Sequence, residues 1–252
     1  MQALPVTDFA LRLDGVNKAF GGLRAVEDVA LAVRPGERRA LIGPNGAGKT
    51  TLFNMIAGAL PVTSGTITLF GRDVTRVAAQ RRAWLGLGRT FQISNLFPTL
   101  TVAENCLLAV QALTSTRLMM HRPLSGYHDL HARAQATLEA VGLAERAHAT
   151  VRNLSHGEQR QLEIGLALAG APRLLLLDEP TAGLSPAESQ AMAQLITRLD
   201  PAITVLIIEH DMDIVLELAR HVTVLHQGRV IADGTRDDVR ADPLVREIYL
   251  GA

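Results

Sequence analysis

The sequence predicts an α/β fold, with a mostly parallel core sheet, an antiparallel β portion near its start and a helical subdomain in its middle. Three observations lead there. Residues 38–42 read as a strand, a glycine-rich turn follows, and Leu52, Phe53, Ile56, Ala57 and Leu60 then share one helical face until Pro61. Beyond Pro172, apolar runs of strand length alternate with helical patterns, as in a parallel sheet covered by helices. Residues 9–13 and 66–69 alternate with period two, as half-buried strands do.

Taken in order, Phe9, Leu11 and Leu13 alternate with Ala10, Arg12 and Asp14, which reads as an edge strand. Residues 30–33 read as a second strand, closed by a Pro35-Gly36 turn. From about residue 77 to 169 the character is mainly helical. There Leu130, Ala134, Leu138 and Val141 recur at helical spacing, with Gly142 as the C-cap. Ser, Thr, Pro and Gly in 114–126 predict a loop or broken helix. Strand 174–177, helix 186–199, strand 203–208 and helix 212–219 follow. Residues 222–225 and 230–232 flank Gln227-Gly228 as a hairpin. One domain is expected: a core from 1–90 and 170–235, a helical subdomain over 91–169 and a helical tail over 236–252. There is no internal repeat and no low-complexity segment.

At 252 residues the chain is at the upper end for one domain, and 48% hydrophobic residues supply a sizeable core. Lys plus Arg number 25 and Asp plus Glu number 25, a balance that gives no reason to expect nucleic acid as a partner. With Cys106 as its one cysteine, the chain forms no internal disulfide, which suits a reducing compartment. Its longest apolar runs, 174–177 and 205–208, are far too short to span a bilayer, and Met1-Gln-Ala-Leu-Pro-Val-Thr lacks the pattern of a secretion signal. Any attachment to a membrane is therefore expected through a partner.

Gly43-Pro-Asn-Gly-Ala-Gly-Lys49-Thr50 matches the phosphate-binding pattern G-x-x-x-x-G-K-[ST] in full. A glycine-rich turn between strand and helix aims backbone N–H groups at one point, at the positive end of a helix dipole. Gly43, Asn45, Gly46, Ala47 and Gly48 would line that cradle, with Thr51 beside it. Lys49 would meet the β- and γ-phosphates and the Thr50 hydroxyl would ligate Mg²⁺. Farther on, 174–177 runs directly into Asp178-Glu179, an apolar strand ending in acid where open α/β sheets place ligands. Asp178 is assigned to the metal, and Glu179 to orienting or deprotonating an attacking water.

Leu154-Ser-His-Gly-Glu-Gln159 opens a helix with capping-box spacing, Ser155 to Glu158. It reads either as a well-capped helix alone or also as a second anion site, from Ser155 and the Gly157 amide, which makes sense if that site serves a partner subunit. Ser185 to Glu188 repeats the box, with Pro186 at the first helical position. His210, following a strand, is assigned to the γ-phosphate. His121, His128 and His131 lie near one another in the middle segment, but no cysteine or carboxylate completes a metal set. Gln92 is unremarkable from spacing alone, and Phe20 reads equally as a core aromatic or a base-stacking one.

Together, over nearly the whole chain, these motifs resemble the nucleotide-binding subunit of ABC transporters. Gly43–Thr50 looks like the Walker A loop, Gln92 the Q-loop glutamine, and 154–159 the LSGGQ signature with His156 in place of its first glycine. Residues 174–179 look like Walker B, 182–185 the D-loop and His210 the switch histidine, while Phe20 resembles the aromatic stacked on adenine. The resemblance implies ATP and Mg²⁺ as ligands, with Thr50, Asp178 and Gln92 at the metal and Lys49, Gln92, Glu179 and His210 in catalysis. It implies two cassettes head to tail, as a homodimer or with a related ATPase. Each ATP then lies between the Walker A of one chain and the Ser155 and Gly157 of the other.

Leu87-Gly-Arg-Thr-Phe-Gln92, Leu96-Phe-Pro-Thr-Leu-Thr-Val-Ala-Glu-Asn105, Gly157-Glu-Gln-Arg-Gln-Leu-Glu-Ile164 and Glu247-Ile-Tyr-Leu-Gly251 are similar to the ATPases of branched-chain amino-acid importers. Urea and short-amide importers use close relatives, and lipopolysaccharide exporters share the signature region but not Arg-Thr-Phe-Gln. Soluble ABC ATPases of translation or repair usually carry paired units or long insertions, which this chain lacks. The expected partners are two permease subunits, docked near 93–101, and an extracytoplasmic substrate-binding protein, with the chain peripheral on the cytoplasmic face of the membrane.

Overall fold

The computed structural model describes residues 8–90, 96–114 and 127–250. Four strands form an antiparallel sheet in the order β2 (Leu23–Val33), β1 (Leu11–Phe20), β4 (Ser64–Leu69), β5 (Arg72–Asp73). Strand β1 thus lies inside its sheet, paired on both sides, and is not the edge strand its alternation suggested. Alternation reports that one face of a strand is buried and carries no information about its lateral neighbours.

The second sheet has six strands, ordered β10 (Arg229–Thr235), β9 (His221–His226), β3 (Arg38–Ile42), β8 (Thr204–Ile208), β7 (Leu174–Asp178), β6 (Leu87–Arg89). All are parallel except β10, which forms the expected hairpin with β9. Strand β6 falls in the stretch read as helical. At three residues it is too short to show a period, and Gly88 is required because a Cβ there would lie 2.7 Å from the Ala167 carbonyl oxygen.

Strands β7 and β8 are buried throughout. Their side chains alternate between two cores. Leu174, Leu176, Leu206 and Ile208 pack with the antiparallel sheet and helix α1 (Lys49–Ala57). Leu175, Leu177, Val205 and Ile207 pack with α3 (Val102–Ala112), α4 (His128–Ala140), α5 (His156–Leu168), α6 (Pro186–Arg198) and α7 (Met212–Leu218), which follow the short α2 (Ala79–Trp84) in the chain. Because helices or strands cover both faces, these strands read as unbroken apolar runs. Helices α8 (Arg236–Ala241) and α9 (Pro243–Leu250) close the chain, with Val239 and Val245 against Val222 and Val224. Among the described residues no helix is long and apolar enough to cross a membrane.

Helix α1 ends earlier than its apolar face implied, at Ala57, because Gly58 takes a left-handed φ of 77° as its cap. Its last carbonyls are held by Arg82. This guanidinium, 2% exposed, donates to Met55 O and Ile56 O at 2.7 Å each, while its Nε donates to Val77 O at 2.8 Å. Arg82→Ala strands several buried carbonyls at once, and we expect it to cost about 3 kcal/mol. The melting temperature should drop by roughly 6–12 °C for a chain of this size, which a thermal unfolding scan checks.

Candidate active site

The parallel strands β3, β8 and β7 are neighbours, so the phosphate loop after β3 and the acidic pair after β7 flank the tip of β8. Glycine geometry shapes the loop. A Cβ on Gly48, at φ +101°, would lie 2.3 Å from the Ala25 carbonyl oxygen, and one on Gly43 would lie 2.1 Å from that of Leu225. Helices α3, α5, α6 and α8 each start on a capping box with an acid at N3. Helix α1 has no side-chain cap and no acid in its first turn. Its first N–H groups are therefore open to an outside anion.

Lys49 is buried, and its Nζ donates to Gly43 O at 2.6 Å and Pro44 O at 3.1 Å. Burial pulls its pKa down, while Glu179 and Asp178 nearby oppose that shift. A cleft of about 520 Å³ opens here. It is lined by Asn45, Gly46, Ala47, Gly48, Lys49, Thr50 and Thr51 together with Glu179 and Phe20. Phe20 is 49% exposed, with Lys18 Nζ 4.9 Å from its ring centroid. It is therefore not a core aromatic but an open platform at the cleft. Leu23, Arg24, Ala25, Gln227 and Gly228 complete the lining. Sequence reasoning missed these five, since the start of β2 and the turn after β9 reach the cleft only through the fold.

Asp178 ends β7, buried, with its amide donating to Thr90 Oγ1 at 3.2 Å. Its Oδ2 faces Arg89 Nη2 at 3.4 Å, whereas Oδ1 has no hydrogen-bond partner. Burial raises its pKa, against the pull of Arg89. An orphaned, buried carboxylate oxygen beside the phosphate loop fits a site for a hard divalent cation. Glu179 follows with φ +48°, a left-handed conformation uncommon outside glycine, and its amide donates to Ile208 O at 3.0 Å.

The strand register pairs Asp178 with Ile208. Glu209, one residue beyond, therefore comes level with Glu179, and His210 stands one residue farther out than the carboxylates. The His210 side chain is 62% exposed. Gln92 lies outside the described residues, as does His121; His128 and His131 are exposed on α4. Among the described residues no group of three or more His, Cys, Asp or Glu is placed to hold a metal.

Ser155 and Gly157 do not line this cleft. Both capping boxes form. Ser155 Oγ accepts from the Glu158 amide at 3.2 Å, and Ser185 Oγ accepts from the Glu188 amide at 3.4 Å. The Ser155 amide and hydroxyl in turn bond the Glu158 carboxylate and, with Arg146, hold its pKa below the usual range. The two helix starts adjoin: a Cβ on Gly157 would lie 3.1 Å from Glu188 Oε1, and one on Gly183 would lie 3.2 Å from His156 Cε1. His156 thus packs on the loop that precedes α6.

Residues 26–182 match the family described as ABC transporter. The chain belongs to this family of ATP-binding cassettes. Residues 229–252 also match the branched-chain amino acid ATP-binding cassette transporter family. The cassette is 41% identical to the high-affinity branched-chain amino acid transport ATP-binding protein LivG of Salmonella typhimurium, over 96% of this chain and 97% of that one. It is 39% identical to BraF of Pseudomonas aeruginosa, similarly described, over 96% and 97%. Among solved structures it resembles a nucleotide-free cassette at TM-score 0.85 and 32% identity, covering 97% of this chain and all of the other. A dimeric cassette bound to ADP and Pi matches at TM-score 0.76 and 26% identity, over 90% and 98%. The cassette is thus an ATPase of the ABC transporter family.

Proposed function

We propose that this cassette powers import of branched-chain and other hydrophobic amino acids, from the cytoplasmic face of the membrane, with two permeases and an extracytoplasmic binding protein. The observation that carries the reading is the convergence of an uncapped, glycine-cradled helix start, buried Lys49 and Glu179 on one cleft. The cargo rests on residues 229–252 and on the LivG and BraF proteins.

The first amides of α1 and the Lys49 ammonium would hold the β- and γ-phosphates of ATP, and Phe20 would stack on the base. Thr50, Asp178 and Gln92 would hold Mg²⁺, which when bound neutralises phosphate charge. Glu179 takes the proton of the attacking water as the Pγ–O bond to ADP breaks, and His210 contacts the γ-phosphate. Ser155 and Gly157 would face the nucleotide of a partner cassette. Half-exposed Phe97 stands at the expected permease contact, in a loop held by buried Asn105: Phe97 N donates to its Oδ1 at 2.8 Å and its Nδ2 donates to Phe97 O at 3.1 Å.

Labelled-leucine uptake tests this in cells lacking other leucine importers and supplied with the transporter carrying this chain or its Glu179→Gln variant. Uptake that needs Glu179, and that excess isoleucine or valine but not urea blocks, is expected. Leucine uptake no higher than in cells without the transporter, or competition by urea alone, would overturn the cargo and leave the ATPase standing.

A further inference from the structure

Glu209 is fully buried, with no exposed surface, in the middle of the nucleotide-facing edge of the sheet. It follows β8, which lies between the strand leading to the phosphate loop and the strand leading to Asp178 and Glu179. Its carboxylate is fully engaged. Oε1 accepts from Thr181 Oγ1 at 2.6 Å and from the Thr181 amide at 3.1 Å. Oε2 accepts from the His210 amide at 3.3 Å and lies 3.9 Å from His210 Nδ1. Thr181, itself buried, stands two residues after Glu179. The residue before Glu209 accepts the Glu179 amide through its carbonyl, at 3.0 Å.

A carboxylate taken wholly out of water is costly unless donors surround it, and an apolar residue would pack a strand end without that cost. The short O–H···O distance is that of a charge-assisted bond. What the arrangement provides is a cross-strand clamp. The strained turn carrying Glu179 and the exposed histidine after β8 belong to different strands, and the polar side chain bonded to both turns is Glu209.

We propose that Glu209 is a positioning residue for hydrolysis, fixing Glu179 and His210 relative to each other through Thr181 and the His210 backbone. This rests on the catalytic reading of Glu179 and His210 given above. Glu209 touches no substrate; it acts by holding the two groups that do.

The test is steady-state ATPase kinetics of the assembled transporter. Glu209→Gln keeps an acceptor for Thr181 and loses the one for the His210 amide. It should lower kcat about 10- to 100-fold, the scale of a misplacement near 1 Å, with the KM for ATP held within about twofold. Thr181→Val should do the same from the other end, and Thr181→Ser, which keeps the hydroxyl, should recover most of the rate. In a His210→Ala background Glu209→Gln should cost little more, because the two act as a unit. An unchanged kcat, a loss that adds in full to that of His210→Ala, or an equal rise in KM would each overturn the proposal. Should Glu209→Gln not assemble, the Thr181 pair decides alone: Val and Ser variants of equal rate would overturn it. If His210→Ala and Glu179→Gln themselves turned over at the wild-type rate, the catalytic reading would fall and this inference with it. A loss in those two alone would sink only the inference.

Discussion

Replacing Glu179 by Gln is expected to leave ATP binding intact while turnover falls by about 10²–10⁴-fold, the usual scale of general-base catalysis. The substitution preserves size, and the Glu179 backbone bond to Ile208 O is untouched by it. Lys49 and the open N–H groups of α1, which would hold the phosphates, are unchanged as well. What is lost is, among the described residues lining the cleft, the one carboxylate that can accept a proton from water. ATP then binds without being consumed, so the two-chain, ATP-bound assembly should accumulate. Size-exclusion chromatography with and without ATP, beside a phosphate-release assay, reads both effects. Hydrolysis near the wild-type rate would remove Glu179 from the proton-accepting role.

The parts of this site that were legible in the sequence are those whose geometry is local. The glycines of 43–48, the boxes Ser155–Glu158 and Ser185–Glu188 and the run into Asp178 are contiguous patterns, because each is built from neighbouring backbone and side chains. The alternation of strands and helices after Pro172 was legible for the same reason. The parts that stayed hidden depend on which strands become neighbours. Arg89 meets Asp178 across 89 positions, and Thr181 meets Glu209 across 28. Glu209 follows an apolar run and precedes a histidine, an order that carries no sign of its burial. Strand β6, with three residues and a glycine, has no pattern to read, and the interior position of β1 is a property of its partners. Phe20 could be resolved from a core aromatic only by its exposure.

Gly157→Asp is expected to abolish hydrolysis without weakening ATP binding to the chain that carries it. Gly157 is the second residue of α5, in a first turn that already holds Glu158. A further acid there suits the helix dipole by about 0.3–1 kcal/mol, but the like charge and close approach of Glu188 oppose that gain, so a thermal unfolding scan of the variant must accompany the assay. Its side chain would, however, point into the space beside Glu188 Oε1, 3.1 Å from the Cβ position, and place negative charge at the proposed anion site. Repulsion between unit charges at 4 Å near a protein surface is about 4 kcal/mol, so a loss on the order of 10²–10³-fold in turnover follows. Mixing experiments separate the two possible owners of that anion site. Chains bearing Lys49→Ala and chains bearing Gly157→Asp should each be inactive alone. Mixed, they should regain hydrolysis if the site serves the partner's nucleotide, since one interface then joins an intact Lys49 to an intact Gly157. A chain carrying both changes, mixed with wild type, leaves no such interface, so only the wild-type homodimers in that mixture should hydrolyse ATP. Were Ser155 and Gly157 to serve their own chain's nucleotide, the first mixture would stay silent and the second would keep about half its sites, whereas partner service leaves each randomly paired equimolar mixture about a quarter of its sites, so activity in the first mixture decides.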